Sequence, residues 1–315
     1  MFSFIVRRGI GMLVSTFLVI TITFVLMQLI PGDPAAVMLG TNATPEQIEQ
    51  LRTTWGLNQP ITVQFYRYFT NFFKGDLGES LFHRQPVLYI IGQRAETSIL
   101  LGIMALLVVV GVGIPAGTIS ALKPNSWTDN SLLLVALAGA SIPSFWLGLM
   151  LMTVVAGKLH LLPSSGFTSI LATGNLANLK NLILPAFSLG FVNAALVART
   201  SRSSMLDVLQ ADYITTAKAK GLSDWIVIIK HAFRNASIPI ITVVSFTFAS
   251  LVSGAVVTEN VFALPGVGNL IVQSVLKRDY PVIQGIMMIV AVLYVVINFV
   301  TDLTYASLDP RIRYR

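Results

Sequence analysis

The chain has 315 residues, of which 54% are hydrophobic and 11% are charged, and its formal net charge is +7. Soluble domains carry about 25% charged residues, so the composition excludes an ordinary soluble protein and indicates a protein of the bilayer. The absence of cysteine excludes disulfides, thiolate metal sites and cysteine nucleophiles.

Long apolar segments predict the membrane spans. A helix needs about 20 apolar residues to cross the hydrocarbon core. Six segments meet or approach this length, so the sequence predicts an all-α integral membrane protein with six transmembrane helices. The predicted spans are residues 9–30, 97–121, 132–157, 182–198, 237–258 and 282–301. The first span is too long for a signal-peptide core, and no small-residue cleavage site follows it.

The loop after the first span, residues 31–96, carries helix signals. Thr44 and Gln47 have the spacing of a capping box, and the helix they begin is expected to end at Gly56. A second, aromatic-rich helix is expected from about Pro60 to Gly75. We interpret the loop either as a small extracytoplasmic cap on the helix ends or as a docking surface for a substrate-delivering partner.

The distribution of lysine and arginine predicts the orientation. Placing the N-terminus in the cytoplasm puts the larger share of these residues in inside segments, and much of the remainder in one long loop, where charge has little effect on topology. Both termini are therefore expected to be cytoplasmic in a multi-pass protein of the cell membrane, in contact with lipid. The same distribution explains the positive charge without binding of nucleic acid.

The inner loop, residues 199–236, predicts a helix, a glycine elbow and a second helix. The first helix is expected from Asp212 to Lys220, with Gly221 as its left-handed cap, and Asp224 lies at the start of the second. Ala217 and Ala219 are small enough for another protein to approach closely. The pattern favours a docking surface or, alternatively, amphipathic helices lying on the membrane surface.

The sequence lacks the motifs of several functional classes. It has no phosphate-binding loop of the G-x-x-x-x-G-K-[ST] type and no catalytic constellation, so we do not expect an enzyme. The three histidines lie far apart and predict no metal site. The interiors of the predicted spans lack ionisable residues, and Glu259 lies at a span end, which disfavours a lone proton-driven carrier. The remaining interpretation is a transport pathway whose energy source lies in another protein.

The inner loop resembles the inner-membrane permeases of binding-protein-dependent ABC importers. Their signature is E-A-A-x-x-x-G followed by I-x-L-P, and only Ala217 and Gly221 match it strictly. The dipeptide and oligopeptide branch is more similar, with T-A-[KR]-A-K-G-L followed by H-[AG]-[LF]-[KR]-N. These patterns match residues 216–222 and 231–235. Further similar segments are residues 31–34, 258–262, 264–268, 278–281 and 309–314.

The resemblance implies a fold, partners and roles. The fold would be that of a type I ABC importer permease, with residues 1–95 as the first helix plus outer loop, 96–305 as the importer transmembrane domain and 306–315 as a cytoplasmic tail. A second homologous permease, two cytoplasmic ATPases and an extracytoplasmic binding protein would complete the importer. The chain itself would bind no cofactor, while the ATPases use ATP and magnesium. The residues implied in ATPase coupling are Asp212, Thr216, Ala217, Ala219, Gly221, Leu222, His231 and Arg234.

Two further sets of residues are candidates for the route of the substrate. The segment 258–268 is a candidate outer gate, through Glu259, Pro265, Gly266 and Gly268, and its L-P-G-x-G core predicts a tight turn. Pro115 and Pro143 interrupt predicted spans and either serve packing or line a pathway with freed backbone groups.

The leading interpretation is a permease subunit for di- and oligopeptides. The same architecture importing nickel or glutathione is the nearest alternative. A lone secondary carrier or channel, and an intramembrane enzyme or a scaffold, are alternatives of other classes.

Overall fold

The computed structural model describes residues 2–29, 33–39 and 43–308, and these are almost entirely helical. The α-helices in chain order are α1 (Phe2–Leu29), α2 (Pro34–Leu39), α3 (Pro45–Trp55), α4 (Ile61–Phe73), α5 (Val87–Val108), α6 (Ile114–Leu122), α7 (Trp127–Ser141), α8 (Ser144–Leu151), α9 (Ile170–Thr173), α10 (Lys180–Leu209), α11 (Asp212–Ala219), α12 (Asp224–Ile226), α13 (Arg234–Val261), α14 (Val267–Lys277) and α15 (Tyr280–Leu308). π-Helical segments follow α5, α8 and α12 at Val109–Gly113, Met152–Lys158 and Val227–Phe233. The segments 31–32 and 309–314, quoted above for their resemblance, lie outside the described residues.

Five helices among the described residues are long and apolar enough to cross a membrane, and a bent pair adds a sixth crossing if it counts as one span. The five are Val6–Leu26, Val87–Leu122, Leu176–Leu209, Asp224–Val261 and Tyr280–Thr301. Each contains most of one predicted span. Several are longer than predicted because the helices continue beyond the apolar stretch into residues that the sequence pattern assigned to loops.

The third predicted span is not one helix. It consists of α7 and α8, which meet at an angle of 100°. The break lies at Ile142 and Pro143, where Ile142 has φ −92° and ψ 127°. Proline has no N–H to donate and disfavours the helical conformation of the residue before it. The predicted span 132–157 is therefore formed by two helices, and it is broken at the proline that was expected to interrupt it.

The two helices predicted after the first span are confirmed. Thr44 and Gln47 form both hydrogen bonds of the capping box at the start of α3, and Gly56 ends that helix with a φ of 69°. The second helix is α4, which is followed by Gly75 at a φ of 75°. Local capping rules were sufficient here because each signal acts within one helical turn.

The described residues form two compact units. The first unit comprises Thr97–Pro265 and residues 300–308, and the second comprises Phe2–Glu96 and Gly266–Phe299. In the first unit α10 is central and packs against α6, α7, α8 and α13. Its apolar core joins α10 to the preceding and following helices through side chains such as Leu101, Leu189 and Leu251, all fully or almost fully buried.

Glycines permit the closest helix contacts of the first unit. A Cβ on Gly190 of α10 would lie 2.5 Å from the Ala105 carbonyl oxygen, and one on Gly117 of α6 would lie 2.2 Å from the Ala198 oxygen. Ala105 contacts Gly190, and Gly117, further along the α5–α6 helix, contacts Ala198, further along α10. These two helices therefore run in the same direction. The chain between them, which contains the bent α7–α8 pair, must therefore return to the side on which α5 begins.

In the second unit, aromatic rings join α1 and α4. The Phe24 ring lies 5.3 Å from Phe65 and 5.5 Å from Tyr68, while Phe17 lies 5.7 Å from Phe69, measured between ring centroids. These edge-to-face and tilted pairs stabilise the contact beyond the burial of area alone. A second cluster packs the start of α5 against α14 and α15 through Val87, Ile90, Ile91, Leu270, Val282 and Ile286.

Candidate functional site

The predicted glycine elbow is present between α11 and α12. Gly221 has a φ of 78°, its N–H donates to the Lys218 carbonyl at 2.9 Å, and the Leu222 N–H donates to the Ala217 carbonyl at 3.4 Å. This pair of bonds is the Schellman arrangement, which satisfies the last carbonyls of a helix and needs a left-handed residue. The elbow is therefore a defined turn. The sequence predicted its position and its glycine correctly.

One face of the elbow is buried against its own chain. Ile214 and Ala217 are 1% and 8% exposed, and they belong to an apolar cluster with Val227, Ala232 and Ile240. Ala219, by contrast, is exposed. Of the two alanines predicted to allow close approach of another protein, only Ala219 presents its methyl group outward. The small side chain of Ala217 serves packing inside this chain.

Other residues of the elbow expose large apolar side chains. Trp225 is 72% exposed, and four further residues are between 36% and 45% exposed, namely Tyr213, Leu222, Ile226 and Ile229. We call these five residues the elbow patch. Scattered apolar residues are normal on a surface, but five exposed large ones within 17 positions around a defined turn are typical of a protein or membrane interaction site.

The remaining coupling residues surround the same turn. Asp212 begins α11 and Thr216 donates its hydroxyl to the Asp212 carbonyl at 3.0 Å. His231 lies in the π-helical segment, and Arg234 begins α13 with its side chain exposed. The helix after the elbow continues into α13 without a break. The sequence pattern had instead predicted that the inner loop ends at residue 236 and that a separate span follows. A displacement of the elbow is thus connected to a membrane span by continuous helix.

A buried ion pair near the start of α7 was not predicted. The Arg202 guanidinium donates two hydrogen bonds of 2.7 Å to the two carboxylate oxygens of Asp129, which is 1% exposed. The Asp129 carboxylate also accepts from the Ser120 hydroxyl and from the Asn125 N–H. These contacts fasten the end of α6, the start of α7 and α10 together. The sequence offered no signal for the pair because 73 positions separate its members.

The candidate outer gate is part of the packed first unit up to Pro265. The tight turn lies just before the predicted one, at the end of α13, where the Leu264 N–H donates to the Glu259 carbonyl at 2.8 Å. The L-P-G-x-G core itself is extended at Gly266 and then begins α14, so the tight turn predicted for it was wrong. Phe262 is 1% exposed, and a Cβ on Gly148 would lie 2.9 Å from its ring. Pro265 ends this unit, Gly266 precedes α14 and Gly268 is buried within α14.

Glu259 is more deeply placed than its position near a span end indicated. It lies inside α13, its side chain is fully buried, and its carboxylate accepts the Ser98 hydroxyl at 2.6 Å. A carboxylate at a span end would be expected to keep contact with water, and this one does not. The hydrogen bond ties the end of α13 to the part of α5 that belongs to the first unit.

The two prolines predicted as candidate pathway residues lie in different settings. Pro115 is the second residue of α6 and follows the π-helical segment Val109–Gly113, whose wider turn accommodates the missing N–H. Pro143 lies at the sharp break between α7 and α8. Both side chains are exposed in this chain. Within the described part of the chain, no group of three or more potential metal ligands is arranged to hold an ion.

Comparison with protein families identifies the chain. The family model described as "Binding-protein-dependent transport system inner membrane component" matches residues 113–314, and the corresponding N-terminal model matches residues 1–101. The chain belongs to this family of importer permeases. This permease is therefore a multi-pass inner-membrane component of an ABC importer, and it works with ATPase and substrate-binding components.

Curated relatives cover the full length of the permease. It is 40% identical over 315 residues to a putative peptide transport system permease of Brucella melitensis, with 100% of both chains covered. It is 41% identical over 312 residues to the dipeptide transport permease DppB of Alkalihalophilus pseudofirmus, covering 93% of this chain and 94% of that one. It is 38% identical over 315 residues to the glutathione transport permease GsiC of Escherichia coli, again with 100% of both chains covered.

A solved structure confirms the fold. The methionine ABC transporter MetNI, in an inward-facing conformation, matches with a TM-score of 0.57 at 15% identity. The match covers 70% of this permease and 97% of the MetNI chain. The expected type I importer permease fold is thereby confirmed.

Proposed function

We propose that this permease forms, with a second homologous permease, the membrane pathway for di- and oligopeptides. Two cytoplasmic ATPase subunits drive it and an extracytoplasmic binding protein loads it. The observation that carries the proposal is the elbow patch on a Schellman-capped turn that leads directly into a membrane-spanning helix. The family membership supports the importer role, and the names of the relatives support the peptide class, with glutathione as the nearest alternative.

The elbow is the proposed coupling region, from Asp212 to Arg234. Its exposed Trp225, Leu222 and Ala219 would insert into a groove of the ATPase, while its buried Ile214 and Ala217 hold it to this chain. Closure of the ATPases on ATP would move the elbow. Because the helix from Asp224 to Val261 is continuous, it would transmit that movement to the spans without bending in between. ATP and magnesium would bind to the partner subunits and not to this chain.

The same proposal fixes an orientation. The N-terminus and the elbow lie in the cytoplasm, and the loop that carries α3 and α4 lies on the outer side. The excess of lysine and arginine in the segments on the elbow side supports this orientation. Labelling of single cysteines introduced into the cysteine-free chain would test it directly.

The coupling region is tested by two matched tryptophan variants. Trp225 of the elbow and Trp127 at the start of α7 are 72% and 86% exposed, so neither contributes much to the folded core. The tagged chain is purified in mild detergent and the proteins that accompany it are identified. We expect Trp225→Asp to lose the ATPases while Trp127→Asp retains them, because a carboxylate cannot be buried at an apolar interface without a large cost.

A second pair of variants tests the turn itself. Gly221 and Gly174 both have positive φ and open space where a Cβ would lie, so proline disturbs both turns similarly. Gly221→Pro should release the ATPases and Gly174→Pro should not. Retention of the ATPases and of transport by both elbow variants would reject the coupling assignment. Uptake of labelled dipeptide, glutathione and nickel by vesicles then decides among the substrates.

A further inference from the structure

The second unit contains a large cavity with a charged lining. Its volume is about 1030 Å³, the size of a site for a small molecule. The lining comes mainly from α3, α4, the loop before α5, the end of α14 and the first turns of α15. Aromatic side chains of this lining include Trp55, Tyr68 and Phe72. A cavity of this composition offers both apolar surface and polar contacts to a ligand.

Charges of both signs lie on this one lining. Its cationic side chains are Arg84, Lys277 and Arg278, and its anionic side chains are Asp76 and Glu79. All five are exposed. None of the five belongs to the ion pairs that join Arg52 to Asp33 and Glu49, and Arg202 to Asp129. The lining thus presents separate positive and negative groups that do not neutralise each other by direct contact.

Arg278 occupies a backbone position that normally belongs to glycine. It follows the last turn of α14 with a φ of 57°, and the neighbouring N–H groups make the two bonds of a Schellman cap, from Arg278 to the Val275 carbonyl and from Asp279 to the Ser274 carbonyl. A left-handed conformation is disfavoured for residues with a Cβ. Arg84 is in the same conformation with a φ of 52°. Strained residues of this kind cluster at ligand sites, where the side chain is needed.

A buried carboxylate holds the two strained segments together. Asp279 is 2% exposed, accepts the Ser80 hydroxyl at 2.5 Å and accepts the N–H groups of Leu81 and Phe82 at 3.2 and 3.4 Å. The loop that bears Arg84 is thereby fixed to the end of α14 that bears Arg278. This anchor fixes the backbone segments that carry the two exposed arginines.

We propose that this cavity is a binding station for short peptides on the permease itself. Arg84 and Arg278 receive the C-terminal carboxylate, Glu79 receives the amino terminus, and the aromatic side chains contact the residues between them. A zwitterionic peptide carries the two charges that the lining complements, and guanidinium groups suit carboxylates. The inference rests on the proposed peptide substrate and assigns this site a role after release from the binding protein.

Glycine variants remove the charges without disturbing the backbone. Arg84→Gly and Arg278→Gly keep the positive φ at no steric cost. The complete importer is reconstituted in liposomes with binding protein loaded with radiolabelled Ala-Phe, and peptide uptake and ATP hydrolysis are both measured. We expect each variant to lower the peptide imported per ATP hydrolysed by about tenfold, the equivalent of one charge-assisted hydrogen bond. His160→Gly, at a φ of 51° in the first unit, is the matched control and should equal wild type.

Occupancy of the cavity is measured independently by cysteine labelling. The chain has no cysteine, so Asn71→Cys places a single thiol in the lining and Trp127→Cys places one far along the chain in the first unit. Ala-Phe should slow maleimide labelling of Asn71→Cys during turnover, and combining this variant with Arg84→Gly or Arg278→Gly should abolish that protection. Labelling of Trp127→Cys should not change.

The outcomes separate this site from the proposed function. Uptake of Ala-Phe by wild type, with arginine variants equal to His160→Gly and no protection of Asn71→Cys, would overturn the station and leave the peptide importer standing. Failure of the wild-type importer to take up any dipeptide would reject the peptide class, and with it the ligand proposed for the cavity. The binding station is supported if the arginine variants import less peptide per ATP hydrolysed and also lose the protection of Asn71→Cys from maleimide.

Discussion

Two groups of charged side chains in this permease are held in opposite ways. Asp129 and Arg202 are joined by two hydrogen bonds of 2.7 Å, and Asp129 is 1% exposed. Around the cavity of the second unit, Arg84, Lys277 and Arg278 are exposed and belong to none of the ion pairs of the described residues. The charges of the first group pair with each other, while those of the second group form no ion pair with a described residue.

The difference indicates different roles. A buried charge is tolerated only when its partners satisfy it, and a satisfied network rigidifies the helices that supply it. The Asp129 network joins α6, α7 and α10, the last of which leads to the elbow. Rigid connection is what a coupling region needs. The cavity charges make no ion pair among the described residues, although the Lys277 ammonium lies 3.7 Å from the centroid of the Phe82 ring. Such charges on a cavity wall are suited instead to a ligand that supplies the opposite charges. The following substitutions test whether stability depends on the first group and not on the second.

Asp129→Asn should have the largest effect on stability. It keeps the shape of the side chain but leaves the Arg202 guanidinium without its counter-charge, which costs about 3 kcal/mol when a buried pair is broken from one side. Thermal unfolding of the purified permease in detergent measures the loss. A double variant, Asp129→Leu with Arg202→Met, should recover most of it, because removing both charges is often neutral. A double variant as unstable as the single one would show that the shape of the pair, and not its charge balance, is required.

Gly117→Ala should have a smaller but clear effect. The added Cβ would lie 2.2 Å from the Ala198 carbonyl oxygen and 2.6 Å from the Ser201 Cβ, and backbone atoms cannot move aside cheaply. Overpacking of this kind costs about 2 kcal/mol. Gly111→Ala, in the same helical stretch but with nothing within 4 Å, is the control and should be neutral or slightly stabilising. Equal unfolding temperatures for the two variants would contradict the close contact of α6 with α10.

Features that act within one helical turn could be predicted from the sequence. The capping box at Thr44, the ends of α3 and α4, and the left-handed Gly221 all belong to this class, because their chemistry involves neighbours in the chain. The resemblance of residues 216–222 to the importer permeases also identified the family, since that signature is local. The candidate coupling residues remain a prediction that their placement on one turn supports.

Features that depend on the packing of distant segments could not be predicted. The pairing of Asp129 with Arg202, the burial of Glu259 and the contact of Gly117 with α10 all join residues far apart in sequence. Pro143 was recognised as an interruption, but a proline alone does not determine whether a helix kinks or breaks by 100°. The extent of the bend depends on the neighbours that receive the second half. The cavity charges of the second unit likewise come together from two segments of the chain that lie far apart in sequence.

Arg278→Gly should have the smallest effect on stability, and a favourable one. Glycine adopts the φ of 57° without strain, so the variant should gain up to about 1 kcal/mol, while Lys277→Gly in the last turn of α14 should lose up to about 1 kcal/mol through helix propensity. Thermal unfolding of both variants beside wild type measures the difference in sign. A stable Arg278→Gly protein that imports less peptide per ATP would show that the arginine is kept for its ligand at the expense of the fold. A loss of several kcal/mol would instead make Arg278 a structural residue like Arg202, and the contrast between the two charged groups would then fail.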